Sequence, residues 1–346
     1  MGVTMVEPVE SLAEDELWLD CGGVRVSCAG DPEAIRGLSA HFAAFLGPRS
    51  SRPDVRVQLR RAEPPPVASE RRRCDQVVDR GIVYNFGATT VVDHHGHARS
   101  EYDFAAERGV IDSLHLEDLV ELAYLMIHSR VGLLLEARGL VRLHCVGIEL
   151  DGKAALVLAS SGGGKSTLAR ALLRETSVRL LGDDMVLIDK RGWARPFHSP
   201  LGVTDPAQAE GLGQPIPFVR RQHADKWIIP LDALRDRLAP GPVPVSLVLC
   251  AERVTRGPSA VVPAPRMDVL AVLARDMVIG LGLPQVIELV ARRGARDVVK
   301  QLPSLRRRLH AASRLLLART AVLELADASS AAQAIVAALD DSPPRG

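Results

Sequence analysis

The sequence predicts an α/β protein: a small, mostly β N-terminal domain over residues 1–112, and an α/β domain over 113–346 that begins with a connecting helix at 113–139. Three observations carry this. Residues 15–110 alternate short extended runs with turn-rich loops, in the period-two manner of half-buried strands. Leu116 to Arg138 is the longest helical pattern in the chain. From Arg142 onward strand-like runs alternate with helical ones, and a glycine-rich loop at 159–167 lies between the first such strand and helix.

In the N-terminal region Gly23 to Cys28 and Asp54 to Leu59 alternate apolar and polar residues. Ala62 to Arg73 combines three prolines with charge and reads as an exposed loop. Ala88 to Val92 and Ala98 to Tyr102 flank Asp93-His94-His95-Gly96-His97, the expected tip of a hairpin. In the long helix Leu119, Leu122, Tyr124, Ile127, Val131 and Leu134 recur at helical spacing, and Gly139 is its stop. Leu143 to Leu150 and Ala154 to Leu158 read as two strands turning at Asp151-Gly152, a strong hairpin dipeptide. A helix from Lys165 to Arg174 follows, then strands at Val178 to Leu181 and Met185 to Ile188. Beyond a Gly/Pro-rich stretch lie a strand at Val245 to Leu249, helical patterns near 266–280, 284–293 and 300–316, a strand at Ala321 to Leu325 and a helix at 329–340.

Composition excludes several classes of function. With 43 Lys+Arg against 42 Asp+Glu the formal charge is +1, which argues against a nucleic-acid partner. The basic residues are nearly all Arg; Lys153, Lys165, Lys190, Lys226 and Lys300 are the lysines, so a lysine in a special place stands out. The 5 cysteines are widely spaced without a CxxC pair, which indicates neither a disulfide scaffold nor a zinc ribbon. No apolar run is long enough to span a membrane, and the acidic start lacks a signal-peptide pattern. The expectation is a cytoplasmic, reduced protein with no membrane partner.

The segment that carries chemistry is Ala159-Ser160-Ser161-Gly162-Gly163-Gly164-Lys165-Ser166-Thr167, in the strand–loop–helix setting that a P-loop requires. Glycines let successive N–H groups converge on a phosphate, and the following helix adds partial positive charge there. Ser161, Gly162, Gly163, Gly164 and Thr167 would line the phosphates, Lys165 would reach the β- and γ-phosphates, and the Ser166 hydroxyl would hold Mg²⁺. The consensus has Gly where this chain has Ala159, a change tolerable at negative φ. Asp183-Asp184 ends a later apolar run. One carboxylate at such a strand end suits Mg²⁺, and a neighbour can accept the proton of an attacking hydroxyl; the same pair also reads as a simple turn. ATP with Mg²⁺ is therefore the expected cofactor pair, although no base-reading motif separates ATP from GTP.

Leu143-His144-Cys145-Val146-Gly147-Ile148, the P-loop and Gly182-Asp183-Asp184 together resemble the HPr serine kinase/phosphorylase family. The likeness covers residues 140–190, and the remainder matches only in its succession of elements. It implies a P-loop kinase domain of the phosphoenolpyruvate-carboxykinase-like type, built on a mixed sheet. It further implies that Asp183 is the catalytic base toward a substrate serine, Asp184 its metal-side partner, and His144 the support of the base. Arg220-Arg221 and Lys226 occupy a basic stretch comparable to the family's substrate loop, so Arg221 and Lys226 are candidate phosphate or substrate contacts. Cys145 departs from the glycine that the family shows there. The N-terminal region is more similar to the HPr-kinase-like proteins of peptide natural-product clusters. The implied partner is a peptide or small-protein phosphate acceptor, and a homo-oligomer stays open. The bifunctional HPr kinase/phosphorylase and a non-catalytic nucleotide-binding regulator are the alternatives.

Other signals point to less. The Asp93–His97 cluster has metal-ligand side chains but sits at a turn, where adjacent residues seldom close a site. The arginine clusters at 71–73, 292–293 and 306–308 read as solvated faces.

Overall fold

A computed structural model describes residues 15–67, 74–78, 80–160, 163–175, 177–218, 226–279 and 295–342. The protein is mixed α/β, and it divides into two units, Met1–Ile127 and His128–Gly346. In the first unit the strands are β1 (Glu16–Cys21), β2 (Val24–Gly30), β3 (Val55–Arg61), β4 (Gln76–Val78), β5 (Gly81–Phe86), β6 (Thr89–Asp93), β7 (Ala98–Asp103) and β8 (Arg108–Ser113). They form one sheet in the order β1-β2-β3-β8-β7-β6-β5-β4, with β3 parallel to β2 and β8 and the other pairs antiparallel. Helix α1 (Pro32–His41) interrupts the strands, a helix that the alternating pattern did not suggest. Its start is nevertheless locally specified: Asp31 accepts hydrogen bonds from the Glu33 and Ala34 N–H groups, and Pro32 occupies the first turn.

The long helix α2 (Leu116–Ala137) crosses the division at Ile127, later than the expected 112/113. The reason is packing: His41 at the end of α1 and Phe42 just beyond it set their rings 5.3 and 5.6 Å from that of Tyr124, which ties the first half of α2 to the first unit. The Asp93–His97 turn joins antiparallel β6 and β7, and His94 within it is buried. Its Nδ1 lies 2.7 Å from the Arg80 carbonyl and its Nε2 2.8 Å from Ser100 Oγ, so this histidine is a satisfied structural residue.

The second unit holds β9 (Val141–Leu143), β10 (Val146–Leu150), β11 (Lys153–Leu158), α3 (Lys165–Leu172), β12 (Arg179–Gly182), β13 (Val186–Ile188), β14 (Trp193–Arg195), β15 (Leu201–Val203), β16 (Ile216–Phe218), β17 (Lys226–Ile229), β18 (Val243–Arg253), β19 (Ala260–Pro263), α4 (Arg266–Leu273), α5 (Ala295–Leu315), β20 (Arg319–Leu325) and α6 (Ala328–Asp340). A short π-helical turn continues α4 through Ile279, and the helical pattern at 284–293 lies outside the described residues. The main sheet runs β12-β10-β11-β18-β14-β13-β9, with β20 beside β18 and β19 beside β20. Its centre is parallel, β11 with β18 and β18 with β20, while the remaining pairs are antiparallel. The sheet is therefore mixed. A separate three-stranded sheet contains β15, β17 and β16.

Alternation along the central strands divides their side chains between two cores. Ile148, Val157 and Leu249 pack with Leu168 and Leu172 of α3 and Ile335 of α6. Leu156, Leu158 and Val248 pack with Leu273 of α4 and Ala311 and Leu315 of α5. Helices thus cover both faces, and a sheet buried on both sides explains the nearly uninterrupted apolar runs of β11 and β18.

The single strand expected at Leu143–Leu150 is two. The chain breaks at His144-Cys145 because Leu143 pairs with Val186 of β13, whereas Val146 pairs with Val157 of β11. An apolar run records burial but not a change of partner. The expected solvated arginine face at 306–308 also fails at Arg308, which is directed into the protein. Glu136 at the end of α2 receives Arg142 Nε at 3.0 Å, Arg308 Nη2 at 2.9 Å and Ser304 Oγ at 2.8 Å, with Glu136 and Arg142 almost fully buried. This cluster fastens α2, β9 and α5 to one another. Replacing Glu136 by Ala leaves two guanidinium groups without their carboxylate, one of them deep in the core, and is expected to destabilise the second unit by about 3–5 kcal/mol. Denaturant unfolding of the variant measures the loss; a change within about 0.5 kcal/mol would show that the cluster is not a structural fastening.

Candidate functional site

The P-loop leaves the C-terminal end of β11, and α3 begins at Lys165. Gly164 is the N-cap residue with φ +92°, a conformation that side-chain-bearing residues resist, and it offers no side-chain cap to the first turn. The first N–H groups of α3 consequently keep their affinity for an anion. Ala159 lies outside the left-handed region, so its methyl group is accommodated where the consensus has glycine. Within the loop the Gly163 N–H donates to the Ser160 carbonyl at 2.9 Å. Lys165 is buried, with Nζ donating to the Ala159 and Ser160 carbonyls at 2.8 and 3.0 Å. Thr167 is exposed and accepts from Arg170 Nη2 at 3.2 Å. Ser161 and Gly162 lie outside the described residues.

The Asp pair forms the turn between β12 and β13. Its tightness demands Gly182: a Cβ there would stand 2.1 Å from the Met185 carbonyl oxygen. The turn aims Asp183 inward, where it is 4% exposed, and the Ser166 hydroxyl stands on the side that favours its charged form. One of its carboxylate oxygens, Oδ1, is buried without a hydrogen-bond partner among the described residues. Burial, and secondarily the neighbouring Asp184 charge, pushes the Asp183 pKa up from 3.8 to about 7, against the opposing pull of the Ser166 hydroxyl and of the Arg170 and Lys165 charges. Asp184 turns outward with its side chain 57% exposed.

His144 occupies the break between β9 and β10. Its Nδ1 lies 2.8 Å from the Asp184 carbonyl oxygen, which can only accept, so this nitrogen carries the proton. The same nitrogen is 3.4 Å from Asp184 Oδ1. The expected support from His144 to Asp183 is thus directed to Asp184, because β9 and β13 are paired and bring the histidine to the second residue of the turn.

Of the two basic candidates, Lys226 opens β17 in the three-stranded sheet, opposite Phe218, and Arg221 lies outside the described residues. Two arginines that sequence reasoning passed over stand at the site instead. Arg170, buried one helical turn after Ser166, contributes its charge to Asp183 and donates to the Gly202 carbonyl at 3.2 Å. Its i+4 spacing from Ser166 was the available signal. Arg253 ends β18 with Nη2 3.3 Å from the point that a Cβ on Gly164 would occupy. No local pattern signals that placement, which depends on which strand lies beside β11.

Among the described residues no group of three or more His, Cys, Asp or Glu side chains is placed to hold a metal ion. Ser166, Asp183 and Asp184 still suit Mg²⁺, which takes one or two carboxylates and draws its other ligands from phosphate and water. The partnerless Asp183 Oδ1 is the observation in favour, since a buried acceptor without a donor is satisfied by a cation. Among the described residues no helix is long and apolar enough to cross a membrane. Comparison with protein-family models and with curated proteins finds no match for this chain.

The raised Asp183 pKa sets a pH dependence. The folded protein holds a proton on this group between about pH 4 and pH 7 that the unfolded chain releases, so the group's contribution to stability is present below pH 4 and lost as pH rises through 7. Asp183→Asn removes that loss. The melting temperature of the variant minus that of the parent is expected to rise by several degrees from pH 4.5 to pH 8. A difference that stays flat across this range would show that Asp183 ionises as an ordinary carboxylate.

Proposed function

We propose that the protein is an ATP-dependent kinase that transfers a γ-phosphoryl group to a hydroxyl, a serine, of a peptide or small protein, in the setting of peptide natural-product biosynthesis. The observation that carries this reading is the place of the P-loop Ser166 hydroxyl beside the buried Asp183, whose charged form it favours. A glycine-rich turn alone binds an anion. Joined to a buried carboxylate, it places a metal-holding hydroxyl beside a group that can take a proton, which is what phosphoryl transfer to a hydroxyl uses. The mixed sheet, with the Asp pair one strand beyond the hairpin that leads into the P-loop, supports a phosphoenolpyruvate-carboxykinase-like P-loop domain and the resemblance to HPr-kinase-like proteins.

In this reading the N–H groups of the loop and of the first turn of α3 bind the phosphates. Lys165 exchanges the neutral Ala159 and Ser160 carbonyls for phosphate oxygens, to which it bonds more strongly. Ser166, with the carboxylate of Asp184, would hold Mg²⁺, which when bound would neutralise charge on the phosphates. Asp183 accepts the proton of the attacking hydroxyl. With a pKa near 7 it is matched to neutral pH, where a base is most effective. His144, its Nδ1 committed to the Asp184 carbonyl, holds the turn that presents both carboxylates.

Mass spectrometry after incubation with Mg·ATP and the short serine-containing peptides encoded beside this gene tests the reading, with a gain of one phosphate on serine expected. Lys165→Ala is expected to abolish transfer. Asp183→Asn is expected to lower it at least about 100-fold with ATP affinity retained. Full activity in Asp183→Asn would remove this residue as the base, and loss of Mg²⁺-dependent ATP binding would move it to the metal. Pyrophosphate released from phosphorylated HPr and inorganic phosphate would instead identify a bifunctional kinase/phosphorylase. ATP binding with no transfer to any peptide would identify a nucleotide-binding regulator.

A further inference from the structure

We propose that Arg253 is a phosphate-contacting residue of this site, binding the triphosphate from the flank of the P-loop opposite the carboxylate pair; the inference rests on the nucleotide-binding reading above. The placement follows from the sheet. β18 is parallel to β11 with Cys250 opposite Leu158, so both strands end at the same edge. The three residues after Cys250 run alongside the start of the P-loop, and the third is Arg253. Its backbone is held on the other side, where it pairs with Leu325 of β20 and the Val254 N–H donates to the Leu325 carbonyl at 3.1 Å. From this fixed base the side chain reaches the loop, with Nη2 3.3 Å from the position of a Cβ on Gly164.

The electrostatics point to a ligand. Arg253 is exposed and forms no hydrogen bond or ion pair with another described residue, and Glu252, next to it along the strand, projects to the opposite face of the sheet. Three sources of positive charge converge at the loop: the uncapped first turn of α3, Lys165 and Arg253. Like charges gathered around one loop repel unless an anion lies among them. Across the loop the signs reverse. In the order β12-β10-β11-β18 the Asp183 turn follows β12 on one side of the P-loop strand, and Arg253 ends β18 on the other. Asp183 Oδ1, buried and without a partner, is the independent sign that this side awaits a cation. A triphosphate carrying a divalent metal satisfies both flanks at once, its metal on the carboxylates and its free oxygens on the guanidinium. A guanidinium suits this place because its planar fork donates twice to one phosphate, which an ammonium cannot do.

The test uses the full-length protein and measures Mg·ATP binding calorimetrically for the parent, Arg253→Ala, Arg253→Lys and Lys165→Ala, each with its melting temperature. Arg253→Ala is expected to weaken ATP binding at least about 10-fold at an unchanged melting temperature, and Arg253→Lys to recover part of the loss. Inorganic tripolyphosphate, as a competitor without base or sugar, is expected to lose affinity for Arg253→Ala by the same factor. Parent-like binding by Arg253→Ala while Lys165→Ala loses ATP would overturn the inference and leave the nucleotide-binding reading standing. A loss accompanied by a fall in melting temperature, with tripolyphosphate unaffected, would likewise overturn it in favour of a structural role. Absence of nucleotide binding by the parent protein would instead refute the reading on which the inference rests.

Discussion

The approach of the Ser166 hydroxyl to the buried Asp183 carboxylate is the constraint on which the candidate site turns. Its two residues come from different elements, the first turn of α3 and the turn after β12, and they meet only because the sheet places β10 between β12 and β11. The tight Asp151-Gly152 hairpin, with both residues at positive φ, sets β10 against β11. Gly182, which pairs with Gly147 of β10, lets the Asp turn close without a steric clash. Each of these local features is modest alone. Together they bring a buried carboxylate to a helix N-terminus, where its charged form is favoured by Lys165 and Arg170 and disfavoured by loss of water.

Much of this was legible in the sequence because it is local. The loop at 159–167, the Asp pair and the Asp-Gly turn are contiguous, and glycine, lysine and aspartate each have a conformational or chemical reason to be where they are. The first-unit helix α1 was equally local, since Asp31-Pro32 is a helix start, but the surrounding alternation of strands hid it. What could not be read were facts of pairing. Leu143–Leu150 is apolar throughout, and periodicity cannot report that its two halves serve different neighbours. Arg308 looked like its neighbours in an arginine cluster, yet it lies where Glu136 and Arg142 need a third partner. Arg253 has no local mark, because its proximity to Gly164 exists only when β18 lies parallel to β11.

The same distinction between local and global explains the charge of the chain. A formal charge of +1 gives no long-range field that would gather polyanions, and no such field is needed for a ligand held at close range. The uncapped amides of α3, one lysine of five and one strand-end arginine concentrate positive character within a single loop. Opposite them the Asp turn concentrates negative character. The resulting dipole across the loop is the charge pattern that the proposed metal–triphosphate ligand would complement, although the protein as a whole is nearly neutral.

The proposed ligand would also account for features that are unfavourable in the protein alone. Asp183 is buried with an oxygen that has no donor, and its elevated pKa expresses the free energy lost when the group ionises there. Arg253 and Lys165 lie close to a helix end of the same sign. A fold selected only for stability would replace the carboxylate with an apolar residue and pair the arginine with an acid. Strain of this kind, opposite in sign on the two sides of one loop, is what the proposed binding would relieve, since one dipositive metal carried on one polyanion offers a partner to each flank at once.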